Sequence, residues 1–137
     1  SLSLGIARIY NPLLLVTGDL AFLHDINGFL IEDFLDVNLT VLLIDNGGGN
    51  IFNKLYEEHL DIEEINKLFV MRKEVNWQRM AETYNIPFRN ESELSKLKDC
   101  FDWSLSISKP SIIKVNIDKD HEQYQRSLIF NSIYKNI

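Results

Sequence analysis

Gly18-Asp19-Leu20-Ala21-Phe22-Leu23-His24-Asp25-Ile26-Asn27-Gly28 and Asp45-Asn46-Gly47-Gly48-Gly49-Asn50-Ile51-Phe52 are the two strings around which the chain is organised. Each follows an apolar run, Leu13-Leu14-Leu15-Val16 before the first and Leu39-Thr40-Val41-Leu42-Leu43-Ile44 before the second. Both runs stop abruptly in small and polar residues, and helix-like sequence follows. Short β-rich runs that alternate with helices read as parallel strands buried on both faces. Ligands of such sheets bind off the carboxyl ends of the strands. Asp19 and Asn46 stand at two such ends, 46 − 19 = 27 positions apart, which leaves room for one crossover helix. The pattern therefore presents two hard oxygen donors side by side, one charged and one neutral. A magnesium ion that bridges to phosphate oxygens requires that kind of donor.

With 137 residues the chain is read as one domain, 1–137, long enough to bury a core. The net charge of −6 argues against a nucleic-acid partner, which needs a basic face. It leaves a diphosphate ligand open, because backbone N–H groups and a metal neutralise one locally. Cys100 is the sole cysteine, so neither an internal disulfide nor a cysteine metal site can form. No apolar run approaches the roughly eighteen residues of a membrane span. The opening Ser1-Leu2-Ser3-Leu4 lacks both signal-peptide features and an initiator Met, and the chain is expected to be cut from something longer.

Outward from the two strings, residues 1–9 read as the tail of a helix broken by Asn11-Pro12. Leu13–Thr17 is the first strand. Residues 21–36 carry Phe22, Ile26, Phe29, Leu30 and Phe34 near helical spacing, and Leu39–Ile44 is the second strand. A helical turn or two is expected at 51–56, a short helix at 61–68, and a further helix over Val75–Asn85 with Trp77, Met80, Ala81 and Tyr84 on one side. Ile86–Arg89 is a short strand, and Asn90 or Ser92 is expected to cap the helix that runs to Leu105. Ser111–Ile117 is another strand. Phe130, Ile133, Tyr134 and Ile137, at i, i+3, i+4, i+7, predict a final helix that docks its apolar side. The whole is an α/β fold, a doubly wound and mainly parallel sheet with helices on both faces.

Each candidate residue has a plainer role beside the functional one. Asp19 alone reads best as a helix cap; coupled to Asn46 and three glycines it reads as a ligand. The glycines can be turn chemistry, yet they follow a buried strand, where a bare backbone approaches phosphate or metal closely. No Walker lysine follows them and the dinucleotide fingerprint is absent. His24, His59 and His121 lack ligand spacing; His24 is expected to pack within its helix and the other two to be solvated. Cys100, Trp77 and Trp103 are read as packing, and the acidic run 57–64 as a solvated face.

The same residues resemble the magnesium and thiamine diphosphate motif of thiamine-dependent enzymes, in which Gly-Asp-Gly is followed downstream by paired asparagines. Leu20 replaces the last glycine here. Strings 18–28 and 45–52 together resemble one branch, the 2-succinyl-5-enolpyruvyl-6-hydroxy-3-cyclohexene-1-carboxylate synthases of menaquinone and phylloquinone biosynthesis. The resemblance implies the thiamine diphosphate-binding fold, truncated at its N-terminal side. It implies Mg²⁺ (or Mn²⁺) held by the Asp19 carboxylate, the Asn46 side-chain oxygen and the Gly48 carbonyl. The cofactor-binding set becomes Asp19, Leu20, Ala21, Asn46, Gly48 and Ile51, and Ile51, Phe52 and Leu55 line the apolar substrate pocket. The implied activity is that of a transferase (carboligase): decarboxylation of 2-oxoglutarate and addition of the product to isochorismate, with the cofactor as electron sink. The implied partners are the enzyme's own N-terminal domains and a second subunit in a homodimer or homotetramer, in a bacterial cytoplasm or plastid stroma. No catalytic residue falls within this chain, since the activating glutamate of the family lies in another domain, and the chain by itself is expected to be inactive. Asp45 stands where the family usually has asparagine, which either places one more negative charge near the diphosphate and weakens the site modestly or leaves Asp45 pointing away. Met71-Arg72-Lys73-Glu74 replaces a loop that commonly carries a proline. The alternatives are another thiamine diphosphate-dependent decarboxylase or carboligase, such as an acetolactate synthase-like enzyme, and a non-catalytic α/β interaction module.

Overall fold

A computed structural model describes residues 2–31, 36–49, 63 and 74–134. Its centre is a four-stranded sheet in the order β1-β2-β4-β3, with β1 Leu13–Gly18, β2 Leu39–Asp45, β3 Phe88–Glu91 and β4 Ser111–Asn116. Every neighbouring pair is parallel, with Leu15 beside Val41, Val41 beside Ile112 and Phe88 beside Ile112. Among the described residues the α-helices are α1 Leu2–Ala7, α2 Asp19–Asp25, α3 Trp77–Thr83, α4 Leu97–Ser106 and α5 Lys119–Tyr134.

Side chains alternate across the pleat, so each strand feeds two layers. Leu39, Val41 and Leu43 of β2, with Ile112 of β4, join Leu4 and Ala7 of α1, Phe22 of α2, and Trp77 and Ala81 of α3 in one apolar cluster. On the opposite face α4 presents Ser104 to Thr40 and Ser111, and its Cys100 is buried. Connections that step outward from β1 to β2 to β3 thus place α2 and α3 on one face. The connection that returns from β3 to β4 places α4 on the other. Crossovers of one hand require that division.

The buried hydroxyls of Thr40, Ser104 and Ser111 form a chain, with Ser104 Oγ 2.6 Å from Ser111 Oγ. Ser104→Ala removes the middle link and strands the outer two, at an expected cost of about 1–3 kcal/mol in urea unfolding. Replacing all three by Val, Ala and Ala is expected to cost less than that single change, because no buried hydroxyl is then left without a partner.

Several expectations need correction. Among the described residues β1 is not covered on both faces: Leu14 and Val16 are 51% and 58% exposed, because β1 ends the described sheet and α4 lies over β2, β4 and β3. The helix expected over 21–36 begins at Asp19 and tightens into a 3₁₀ turn at Ile26–Leu30 around buried Gly28; residues 32–35 lie outside the described set. Neither Asn90 nor Ser92 caps α4. Asn90 lies in β3, and the Glu91 carboxylate takes the N–H groups of Ser92 and Glu93 instead. His24 is exposed rather than packed. The final helix forms, yet Phe130 and Ile133 are half exposed; helical spacing marks a face that can be buried, not the surface that buries it. Residues 51–56, 61–62 and 64–68 and the acidic run, apart from exposed Glu63, lie outside the described residues, as do His59, the His121 side chain, Met71-Arg72-Lys73 and Ile137. Among the described residues no helix is long and apolar enough to cross a membrane.

Candidate functional site

Parallel pairing places the carboxyl ends of β1 and β2 together, with Gly18 in register with Ile44. Asp19 opens α2 directly after β1 and is 7% exposed. One carboxylate oxygen accepts the Leu20 N–H at 2.7 Å, and the other accepts the Gly48 N–H at 2.6 Å. The second bond crosses between the two strings, so the glycine loop closes onto the Asp19 carboxylate. That closure needs the left-handed backbone of Gly47 (φ 74°) and Gly48 (φ 122°), conformations that a Cβ penalises. Gly48 and Gly49 are buried.

A buried carboxylate favours a cationic neighbour. Among the described residues no basic side chain pairs with Asp19. The oxygens available at these two strand ends are all hard donors: the Asp19 carboxylate, the backbone carbonyls of the glycine loop, and the Asn46 side-chain oxygen, which is buried and accepts no hydrogen bond among the described residues. Other groups of Asn46 are engaged. Oxygen donors of this kind fit Mg²⁺ or Mn²⁺ rather than a soft metal. Among the described residues no three His, Cys, Asp or Glu side chains gather as a metal cluster.

Leu20 is half-buried and Ala21 exposed. The Leu20 N–H is committed to Asp19, so it is not a free donor to a phosphate. Gly18 has ordinary extended backbone (φ −80°, ψ 164°), and a Cβ there would meet nothing within 4 Å. Gly18→Ala is therefore expected to shift fold stability by less than ~0.5 kcal/mol in a thermal melt. Ile51, Phe52 and Leu55, expected to line cofactor and substrate, lie outside the described residues.

For Asp45 two outcomes were open, an added charge beside a diphosphate or a side chain pointing away. The structure gives it other partners. Its Oδ1 accepts the Gly47 N–H at 3.1 Å, and its Oδ2 accepts the Trp77 indole N–H at 2.8 Å and lies 3.1 Å from Lys114 Nζ. Burial pushes this carboxyl's pKa up, but the Lys114 ammonium, the Gly47 N–H and the Trp77 indole together outweigh it and hold the pKa below 3.8. Trp77 also packs on Phe22, ring centroids 6.2 Å apart, and Phe22 packs on Phe29 at 6.0 Å. Reading the sequence missed Lys114 altogether and took Trp77 as packing alone. The available signal was a lysine inside the otherwise apolar strand Ser111-Ile112-Ile113-Lys114-Val115.

No protein-family model matches the chain. It is 58% identical over 136 residues to the 2-succinyl-5-enolpyruvyl-6-hydroxy-3-cyclohexene-1-carboxylate synthase of Prochlorococcus marinus strain MIT 9515, covering 99% of the chain and 23% of that protein. The like-named protein of strain MIT 9301 is 56% identical over 133 residues, 97% of the chain and 23% of the relative. Over this segment the chain belongs to the synthase family. The synthase of Synechococcus sp. strain CC9311 is more distant, 40% identical over 129 residues, 93% of the chain and 22% of the relative. The chain spans about 23% of the length of the first two synthases. In fold it is similar to a crystal structure of benzoylformate decarboxylase from Polynucleobacter necessarius, with a TM-score of 0.71, 18% identity, and coverage of 85% of the chain and 23% of that protein. That likeness speaks to the fold: a parallel α/β sheet carrying helices on both faces.

Proposed function

We propose that this chain is the diphosphate- and metal-holding domain, residues 1–137, of a thiamine diphosphate-dependent synthase. Its reaction joins decarboxylated 2-oxoglutarate to isochorismate in menaquinone or phylloquinone biosynthesis. The observation that carries this reading is the bond from Gly48 N to the Asp19 carboxylate, which unites the two strings that resemble the family's cofactor motif. The synthase name of relatives 56–58% identical over nearly the whole chain supports the choice of branch.

In this reading Asp19, the Asn46 side-chain oxygen and the Gly48 carbonyl hold Mg²⁺ or Mn²⁺. Asp19 supplies the negative charge and the other two supply neutral oxygens, so the cation keeps positive charge for a diphosphate. The backbone about Leu20 and Ala21 borders the diphosphate, with Leu20 N–H serving to orient Asp19. Ile51, Phe52 and Leu55 form the apolar wall toward the substrate. When bound, thiamine diphosphate supplies the nucleophilic carbon and the electron sink for decarboxylation and carboligation. The chain's own residues anchor it, and the Leu20 and Gly48 N–H groups orient the metal-bearing carboxylate. The glutamate that activates the cofactor and the groups that hold substrate carboxylates come from further domains and from a second subunit, in a homodimer or homotetramer. The bacterial origin of the relatives favours the cytoplasm over a plastid stroma as the place of work.

The test is an activity comparison on the full-length natural protein. Turnover with 2-oxoglutarate plus isochorismate, dependent on thiamine diphosphate and Mg²⁺, is the expected result. Turnover with pyruvate instead would move the chain to an acetolactate synthase-like branch. Activity that survives loss of both Asp19 and Asn46 side chains would leave only a binding module.

A further inference from the structure

Asp45 closes β2 one residue before the proposed metal ligand Asn46. Its carboxylate is engaged on three sides by groups from three parts of the chain: the Gly47 N–H in the loop, the Trp77 indole at the start of α3, and the Lys114 ammonium on β4. Its backbone carbonyl accepts the Ile117 N–H at 2.9 Å, which ties the same residue to the end of β4. Lys114 and Asp45 are both well covered, at 12% and 17% side-chain exposure. A pair so covered is screened by solvent less than an exposed surface pair. Trp77, in turn, lies on Phe22, three residues after Asp19 on α2. One indole therefore touches the helix that carries Asp19 and holds the residue that orients the glycine loop.

The loop conformation follows from these contacts. The Asp45 carboxylate accepting Gly47 N–H is an Asx turn, which fixes the chain across Asp45 and Asn46 and so the direction in which Gly47 enters the loop. With Gly47 and Gly48 so turned, the next N–H, that of Gly48, aims at Asp19. Lys114 balances the Asp45 charge within the fold, so the added negative charge need not repel the diphosphate. Asparagine at this position could still accept from Gly47, but its amide nitrogen could accept neither from Trp77 nor from Lys114.

We propose that Asp45, clasped by Lys114 and Trp77, is a positioning residue that sets the glycine loop against Asp19 and thereby tunes the site's affinity for its divalent cation. This rests on the reading of Asp19 and Asn46 as metal ligands given above. Asp45 touches neither the cation nor the cofactor in this scheme. Groups that orient ligands from behind typically change metal affinity by 10–100-fold when removed.

The experiment uses the full-length natural protein and four variants: Asp45→Asn, Lys114→Met, their combination, and Trp77→Phe, which retains a ring against Phe22 while deleting the indole N–H. Mg²⁺ is titrated calorimetrically in saturating thiamine diphosphate, and amide exchange of the 45–49 segment is followed in protein free of metal and cofactor. Asp45→Asn is expected to weaken Mg²⁺ about tenfold and to speed exchange at 47–48 by a similar factor. At saturating Mg²⁺, kcat is expected to stay within about twofold. Lys114→Met is expected to weaken Mg²⁺ by at least as much. The combined variant should resemble Asp45→Asn alone, since the two residues act through one contact. Trp77→Phe is expected to weaken Mg²⁺ about threefold, and it reports on the clasp even where Asp45→Asn fails to fold. Unchanged Mg²⁺ affinity in Asp45→Asn or Trp77→Phe, or effects of Asp45→Asn and Lys114→Met that simply multiply, would overturn the proposal. An Asp19→Asn control run in parallel separates the two failures: if it too leaves Mg²⁺ binding intact, the metal-site reading is what has failed.

Discussion

Asp19→Asn is expected to weaken Mg²⁺ binding by about two orders of magnitude in the full-length protein, roughly 2.7 kcal/mol. The change preserves shape and removes the one carboxylate in the proposed ligand set. It also turns one acceptor into a donor. Both Asp19 oxygens receive backbone N–H groups, at 2.7 Å from Leu20 and 2.6 Å from Gly48. An amide –NH₂ must therefore confront one of those N–H groups, and the glycine loop loses its fixed distance from α2. Charge-assisted bonds of this kind contribute about 1.5–3 kcal/mol, so the cofactor-free protein should lose stability as well. Calorimetric Mg²⁺ titration in saturating thiamine diphosphate, with a urea melt of the cofactor-free protein, checks both parts. Retention of wild-type affinity would remove Asp19 from the ligand set.

Leu43→Ala is expected to cost about 2–5 kcal/mol of folding stability. Leu43 is fully buried on β2, paired on one side with Thr17 of β1 and on the other with Lys114 of β4. Removal of its side chain leaves a void that packed neighbours on α2 and α3 fill only in part. Against a typical domain stability of about 5–15 kcal/mol the loss is large. Leu14→Ala makes the same chemical change on β1, where the side chain is 51% exposed, and should shift stability by less than ~0.5 kcal/mol. Paired urea denaturation curves settle the comparison. If Leu14→Ala proved the costlier change, the order of the described strands, with β2 inside and β1 at its end, would be wrong.

The Asp45 carboxylate adds a pH dependence whose sign is fixed by its lowered pKa. Its contribution to the fold is present above the unfolded value of about 3.8 and is lost as the pH falls through the lower folded value. Wild type should therefore lose stability on acidification over that window more steeply than Asp45→Asn, as measured by urea midpoints at successive pH values.

The two strings and the apolar runs before them were readable because they are local. A parallel strand shows itself in four to six consecutive residues, and a strand end shows itself where glycine and aspartate interrupt the run. Strand-end chemistry placed Asp19 and the glycine loop together, and Gly48 N on the Asp19 carboxylate agrees. Helix limits were less readable. The turn at Ile26–Leu30 and the start of α4 at Leu97 depend on how each segment meets the sheet, which no window of spacing contains.

By itself, then, the sequence determined the layered α/β class, the strand ends and the pairing of an aspartate with a glycine-rich loop, because each is written in neighbouring residues. Only the tertiary structure decided that, among the described residues, β1 ends the sheet with Leu14 and Val16 uncovered, and that Asp45 is held by Trp77 and Lys114. Those partners stand 32 and 114 − 45 = 69 positions away. Strand order brings them together, and strand order is set by which faces bury best across the whole sheet rather than by any local period.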